Sequence, residues 1–168
     1  MEKNANKMEP IKIRLIEQTD NGALAIIIRN ALTEFNANKP GTVYFDDSTD
    51  HLYELFKNGN GIYNVAVING EVVGGGGIFA TDGLDADTCE LVKMYLSPNA
   101  RGKGLGKLLM QECLNTAQKT GYKKVYLETM PELTIAVPMY EKFGFTFLKG
   151  PLGASGHDGC GIWMIKLL

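Results

Sequence analysis

No apolar run in this chain approaches the roughly 20 residues that a membrane-spanning helix needs, and its 168 residues hold no internal repeat or low-complexity tract. The basic excess typical of a nucleic-acid binder is missing as well. Lysines and arginines number 17 against 19 acidic residues, for a net charge of −2, which gives an anionic membrane nothing to attract. Cysteine is scarce and odd in number. Cys89, Cys113 and Cys160 stand far apart, which points to reduced thiols and a cytoplasmic protein rather than a disulfide frame. The opening MEKNANKMEP has no apolar centre of the secretory kind and reads as a short flexible lead-in over residues 1–9. Histidine is scarcer still. His157 and Cys160 share one loop, but a zinc site needs three or four ligands and His51 sits far away in a helix, so no metal is expected. The remaining composition is that of an ordinary soluble globular protein, and the length suits one domain spanning 1–168.

Periodicity supplies the elements. Ile11, Ile13 and Leu15 alternate with polar residues and predict a half-buried opening strand. Thr19 or Asp20 is placed to cap a helix reaching about Ala37, with Leu24, Ile27, Ile28, Ala31, Leu32 and Phe35 at helical spacing. Asp47 to Asp50 offer caps for a short second helix through Leu52, Leu55 and Phe56. Ile62–Ile68 and Glu71–Phe79 flank Asn69-Gly70, the dipeptide that a type I′ hairpin turn prefers. A long strand follows over Thr88–Leu96. A helix over Gly104–Thr120 comes next, with Leu105, Leu108, Leu109, Cys113 and Ala117 on one face and Gly121 as its stop. A strand at Lys123–Thr129, a helix around Ile135–Lys142, a strand from Phe145 and a last strand at Ile162–Leu167 complete the chain. A hairpin-rich first half followed by a β-α-β unit predicts an α/β fold with a mixed sheet and helices on its faces. The run Gly74–Gly77 lies mid-strand rather than before a helix. It reads as a bulge or a close approach of another backbone, not as a phosphate loop.

The most informative stretch joins the Thr88–Leu96 strand to the next helix. Gly102, Gly104 and Gly106 alternate at the helix start, with Arg101, Lys103 and Lys107 around them. Backbone N–H groups of such a turn approach a phosphate closely, and the helix N-terminus adds its own attraction, so the chemistry implied is capture of a pyrophosphate. Two rival loops fail on spacing. A G-x-G-x-x-G fingerprint started at Gly102 would need glycine where Lys107 stands, and a Walker loop ending at Gly106-Lys107 would need glycine at Arg101 and Ser or Thr at Leu108.

The acyl-CoA pyrophosphate motif Q/R-x-x-G-x-G/A is met by Arg101, Gly104 and Gly106. It follows Lys93-Met-Tyr-Leu-Ser-Pro98 and precedes Met139-Tyr-Glu-Lys-Phe-Gly-Phe145, which looks like a second hallmark, L/M-Y-x-K/R-x-G-F. On these residues the chain resembles the GNAT superfamily of acetyl-CoA-dependent N-acetyltransferases over roughly Ile11 to Leu168. The resemblance implies a mostly antiparallel sheet of six to seven strands with one splayed parallel pair. Acetyl-CoA is then the cosubstrate, its pantetheine arm lying in the splay against Met94, Tyr95 and Leu96. Its pyrophosphate meets the turn formed by Arg101, Gly102, Lys103, Gly104, Leu105, Gly106 and Lys107. An N–H near Met94 becomes the oxyanion donor.

The implied reaction is direct attack by a primary amine of a small metabolite in a ternary complex. An alkylammonium with a pKa near 10.4 must first lose a proton, and the leaving thiolate benefits from gaining one. Tyr140 matches the family's general acid; a packing role for its ring is the alternative. For the base, Glu90 is the first candidate, since period two places it on one face with Met94, and Glu128 is the second. Either carboxylate is otherwise a surface group paired with a lysine. His157, in the loop before the last strand, is a candidate wall of the acceptor pocket, and Tyr44–Asp47 is either another wall or solvated loop. Two departures stand out: Leu133 occupies a position where many members carry Asn, and Pro138 falls inside the last helix, predicting a short or bent one. A non-catalytic acyl-CoA-binding module and a protein or peptide N-acetyltransferase remain as alternatives. The family is compatible with a homodimer, which no residue here demonstrates, and the acceptor amine stays open.

Overall fold

The computed structural model describes residues 10–168; the expected lead-in over 1–9 lies outside the described residues. The elements run β1 (Ile11–Leu15), α1 (Asn21–Glu34), α2 (Leu52–Lys57), β2 (Gly61–Ile68), β3 (Glu71–Phe79), β4 (Thr88–Leu96), α3 (Leu105–Thr120), β5 (Lys124–Thr129), α4 (Ala136–Lys142), β6 (Thr146–Leu148) and β7 (Ile162–Leu167). They form one seven-stranded sheet in the order β1-β2-β3-β4-β5-β7-β6, antiparallel except for β4 and β5. This is the mixed α/β architecture with a parallel pair that the sequence predicts. The β4–β5 pairing is brief: Thr88, Cys89 and Glu90 face Lys124, Val125 and Tyr126, and beyond them the strands part.

Two layers of helix close the sheet. Leu24, Ile28 and Leu32 of α1 and Leu52 and Phe56 of α2 pack with Tyr63 and Val65 on one face. Leu105, Leu109, Met110, Cys113 and Ala117 of α3, with Tyr140 of α4, pack on the other. Each fully buried aliphatic side chain contributes about 2 kcal/mol of transfer free energy. Leu108, expected on that face, is instead 49% exposed. The buried stripe of α3 runs through Leu105, Leu109, Met110 and Cys113, and Leu108 falls one position outside it.

Several local expectations change. Asp20 does not cap α1; its carboxylate accepts hydrogen bonds from Arg14 (2.7 and 3.0 Å) and from the Glu17 N–H (2.8 Å). Asp47–Asp50 forms a 3₁₀ turn, and the N-terminus of α2 is satisfied from another element, the Tyr53 N–H donating to Asn21 at 2.8 Å. The first strand is an edge strand whose Leu15 is 63% exposed, so its alternation buries little. Pro138 is the third residue of α4, where an N–H would have no intrahelical acceptor, so its cost is far below the roughly 3 kcal/mol of a mid-helix proline. The helix is short, as expected, at seven residues.

The largest local departure is in β4. Gly75 pairs with Tyr95 and Gly77 with Val92, so Lys93 and Met94 together oppose the single residue Gly76. Lys93 adopts φ 51°, a left-handed conformation costing a non-glycine residue roughly 1–2 kcal/mol. This bulge reverses the alternation of the strand. Cys89 and Leu91 face α3, Val92 and Tyr95 face α1, and Met94 returns to the α3 face. Glu90 and Met94, expected on one face, therefore lie on opposite faces.

Candidate active site

Where β4 and β5 part, a groove of about 390 Å³ opens on the α3 side. Its walls include Met94, Tyr95 and Leu96 of β4, Arg101, Gly102, Gly104, Leu105, Gly106 and Lys107 of the glycine turn, and Met139, Tyr140 and Phe143 of α4. Gly102 and Gly104 have φ of 76° and 77°, and a Cβ at either would meet nothing within 4 Å, so the turn is open on its outer side. The first amides of α3 have no carbonyl one turn back. The bond from the Leu108 N–H closes the first turn on the Gly104 carbonyl at 3.2 Å. Together these form a cradle of N–H groups that suits a pyrophosphate. Arg101 braces the turn from behind: its guanidinium bonds both Glu34 oxygens at 2.9 Å and the Leu96 carbonyl at 3.0 Å, and covers the Phe35 ring. Leu133, in place of the family's Asn, gives the groove an apolar wall.

Tyr140 is buried between α3 and the sheet, edge-on to Phe145 with ring centroids 5.9 Å apart, and it also lines the groove. Burial, aided by the nearby Cys113, pushes its phenol up to about 12, so it stays protonated at neutral pH.

A second cavity of about 540 Å³ lies on the opposite face, lined by Asp46, Thr81, Glu90, Lys93, Ser155 and His157 among others. Glu90 is 4% exposed, and Thr81 donates its hydroxyl to it. Burial raises Glu90 to about 7, with the Thr81 bond opposing and the Glu128 charge reinforcing the rise. Glu128 accepts from Tyr126 at 2.8 Å and from the Ser155 hydroxyl, and Tyr126 is itself anchored by the Leu152 N–H at 3.0 Å. His157 Nε2 lies 2.7 Å from Asp46 Oδ2, and Lys93 Nζ lies 3.2 Å from the same oxygen. The hydrogen bond to Asp46 raises the pKa of His157, whereas burial lowers that of Lys93 despite the same carboxylate. Burial would raise Asp46, but His157 and Lys93 outweigh it and hold the carboxyl below its usual range.

The structure thus brings Glu90, Glu128 and His157 together, with one oxygen or nitrogen of each within 4.8 Å of the others. Such a trio can handle protons and, among the described residues, can also hold a metal ion. The Gly156–Cys160 loop contributes His157 to this grouping but not Cys160. Lys93, within the bulge, escapes a sequence reading as a member of the site, and Asp46 lay in a stretch that reads either as a pocket wall or as solvated loop. The loop carrying Asp46 and the loop carrying His157 are clasped to each other. The Gly159 N–H donates to the Gly41 carbonyl at 3.0 Å, and a Cβ on Gly41 would fall 1.9 Å from Asp158 Oδ1. Lys93 lines both cavities, and a small third one of about 60 Å³ lies between them, sharing Glu128 and Thr129 with the groove and Glu90 and His157 with the second cavity. Thr129 is 3% exposed and its hydroxyl has no hydrogen-bond partner among the described residues. The three thiols are free and raised by burial to about 12, so they are unreactive at neutral pH.

Residues 28–145 match the acetyltransferase (GNAT) family. The chain belongs to the GNAT acetyltransferases. This acetyltransferase is 40% identical over 167 residues to the uncharacterized N-acetyltransferase YjgM of Escherichia coli, covering 98% of this chain and 99% of that protein. An IAA acetyltransferase of Azospirillum brasilense is 34% identical over 104 residues, covering 62% of this chain and 66% of the relative. In fold, the acetyltransferase is similar to a GNAT-family acetyltransferase of Staphylococcus aureus (TM-score 0.83, 21% identity, 94% of this chain and 99% of that one). It is similar also to the PaiA N-acetyltransferase of Thermoplasma acidophilum solved with coenzyme A (TM-score 0.73, 19% identity, 95% and 99%). The protein is therefore an N-acetyltransferase with acetyl-CoA as its acetyl donor, and the open glycine cradle fits that donor's pyrophosphate.

Proposed function

We propose that the chain, working as one domain, acetylates a primary amine of a small metabolite by direct attack in a ternary complex. The observation that carries this reading is that Lys93 lines both cavities and a small third one bridges them, through Glu128 and Thr129 on the groove side and Glu90 and His157 on the other, which gives donor and acceptor separate entrances to one point. An acceptor cavity of about 540 Å³ is of small-molecule size. When bound, acetyl-CoA supplies the activated acetyl group. The N–H groups from Gly102 to Lys107 hold its pyrophosphate, and Met94, Tyr95 and Leu96 line the path of its arm. Glu90, half-ionised near pH 7, accepts a proton from the incoming ammonium. Glu128 and His157 form the far wall that orients that amine, with Asp46 fixing the imidazole. Tyr140 donates a proton at the departing sulfur, and the Met94 N–H faces the acetyl oxygen. Free thiols support a reducing, cytoplasmic setting.

A thiol-release assay with acetyl-CoA against amino acids, polyamines, aminosugars and peptides, beside calorimetric binding of CoA, tests this directly. Turnover with a small amine is the expected result. Turnover confined to peptides would replace the substrate class, and CoA binding without any turnover would favour a sensing role. Tyr140→Phe is expected to lower kcat about tenfold or more with CoA affinity unchanged; an unaltered kcat removes Tyr140 from the chemistry.

A further inference from the structure

Four consecutive glycines, Gly74–Gly77, run through β3, yet they line neither the groove nor the acceptor cavity. Glycine weakens a strand interior, so the missing side chains must make room for something. On one face the space goes to Tyr63 of β2, which is 1% exposed. A Cβ on Gly75 would stand 2.5 Å from the Tyr63 ring and 2.9 Å from its hydroxyl oxygen, and one on Gly77 would stand 2.8 Å from the ring. With both absent, the phenol crosses β3 and donates a 2.7 Å hydrogen bond to the Lys93 carbonyl on β4. On the other face Gly74 and Gly76 clear the Tyr95 carbonyl and the side chains of Leu96 and Met94.

We infer that Tyr63 is a positioning residue for acetyl transfer: its hydroxyl holds the Lys93 carbonyl toward β3 and thereby aims the Met94 N–H into the splay between β4 and β5. The C=O and N–H of a trans peptide point in opposite directions, so fixing one fixes the other. The anchor acts at the residue that needs it, because Lys93 carries the left-handed φ of the bulge. Tyr63 lines neither cavity and so acts through the backbone alone. Burial drives its phenol well above the ordinary range, which keeps it a donor across the working pH range. The glycine run is then the clearance that lets a β2 side chain set a β4 peptide. This inference rests on the reading of the Met94 N–H as the donor to the acetyl oxygen.

Tyr63→Phe keeps the ring and deletes the oxygen. The expected result is a fall in kcat of about tenfold to a hundredfold, with the KM for acetyl-CoA and the calorimetric CoA affinity within about twofold of wild type. Labelling with ¹⁵N-methionine, the Met94 signal assigned through Met94→Leu, adds a direct readout. In the wild type the Met94 amide shifts further with acetyl-CoA than with CoA, because only the former brings a carbonyl, and the Phe variant loses that difference. A wild-type amide that answers both alike would sink the Met94 reading and this inference with it. A Phe variant that keeps both the difference and kcat overturns the role of Tyr63 while leaving Met94 in place. Loss of CoA binding together with activity marks collapsed packing and overturns it too.

Discussion

The groove between β4 and β5 draws its walls mainly from β4, the glycine turn that directly follows it and the short helix α4, whereas the second cavity, the proposed acceptor site, gathers Asp46, Thr81, Glu90, Lys93 and His157 from across the chain. The His157–Asp46 contact alone spans 111 positions. The groove depends on backbone: open amides, left-handed glycines and the exposed side of a splayed strand. The cavity depends on side chains whose charges adjust one another. On the proposed reading, the ligand common to the family is met by main chain, which varies little with sequence, and the acceptor particular to this chain is met by side chains.

If that division holds, substitutions on one side should leave the other intact. Glu90→Gln is expected to lower kcat/KM about 10²- to 10³-fold and to abolish its rise with pH near 7, with CoA affinity unchanged by calorimetry. The same variant has a stability signature. Glu90 keeps its proton up to about pH 7 when folded, against an ordinary value of 4.5. The folded chain thus binds more protons in that window, and its stability falls as pH rises through it. The Gln variant should escape this fall and melt higher than wild type at pH 8. Gly104→Ala strikes the groove instead. With φ at 77° and nothing near its Cβ, the effect is purely conformational, and CoA should bind about tenfold more weakly while kcat at saturation stays near wild type. Asp46→Asn removes the shared partner of Lys93 and His157. The KM for the amine should rise several-fold, in line with a lost charged hydrogen bond, and the His157 pKa measured by NMR should fall. Weakened CoA binding in this variant would break the division. Thr129→Val is the mildest test: removing an unpartnered buried hydroxyl should raise unfolding stability by about 1 kcal/mol, read by denaturant titration. An accompanying loss of CoA or amine affinity would show which ligand that hydroxyl serves.

How far the sequence speaks follows the same line. The bounds of β4 and β7, the hairpin at Asn69-Gly70 and the glycine turn that opens α3 rest on near-neighbour patterns, and the structure agrees with each. The placement of Glu90 and Met94 on one face failed because of the bulge at Lys93, whose carbonyl accepts from Tyr63, two strands away, across glycines that look like a weak strand when read alone. Asp46 could not be assigned because its role depends on a loop more than a hundred residues later. Asp20 failed as a cap for a similar reason: Arg14 on the neighbouring strand competes for its carboxylate and wins with two bonds.

The clasp between Gly41 and the Asp158–Gly159 backbone has an evolutionary consequence. The two loops pack tightly against each other, since even one added methyl at Gly41 would collide with Asp158. On the proposed reading, acceptor preference then resides in a pair of segments, one from each half of the chain. A recombinant that exchanges only one of them between relatives would carry a misfitted clasp, whatever residues it brought to the site.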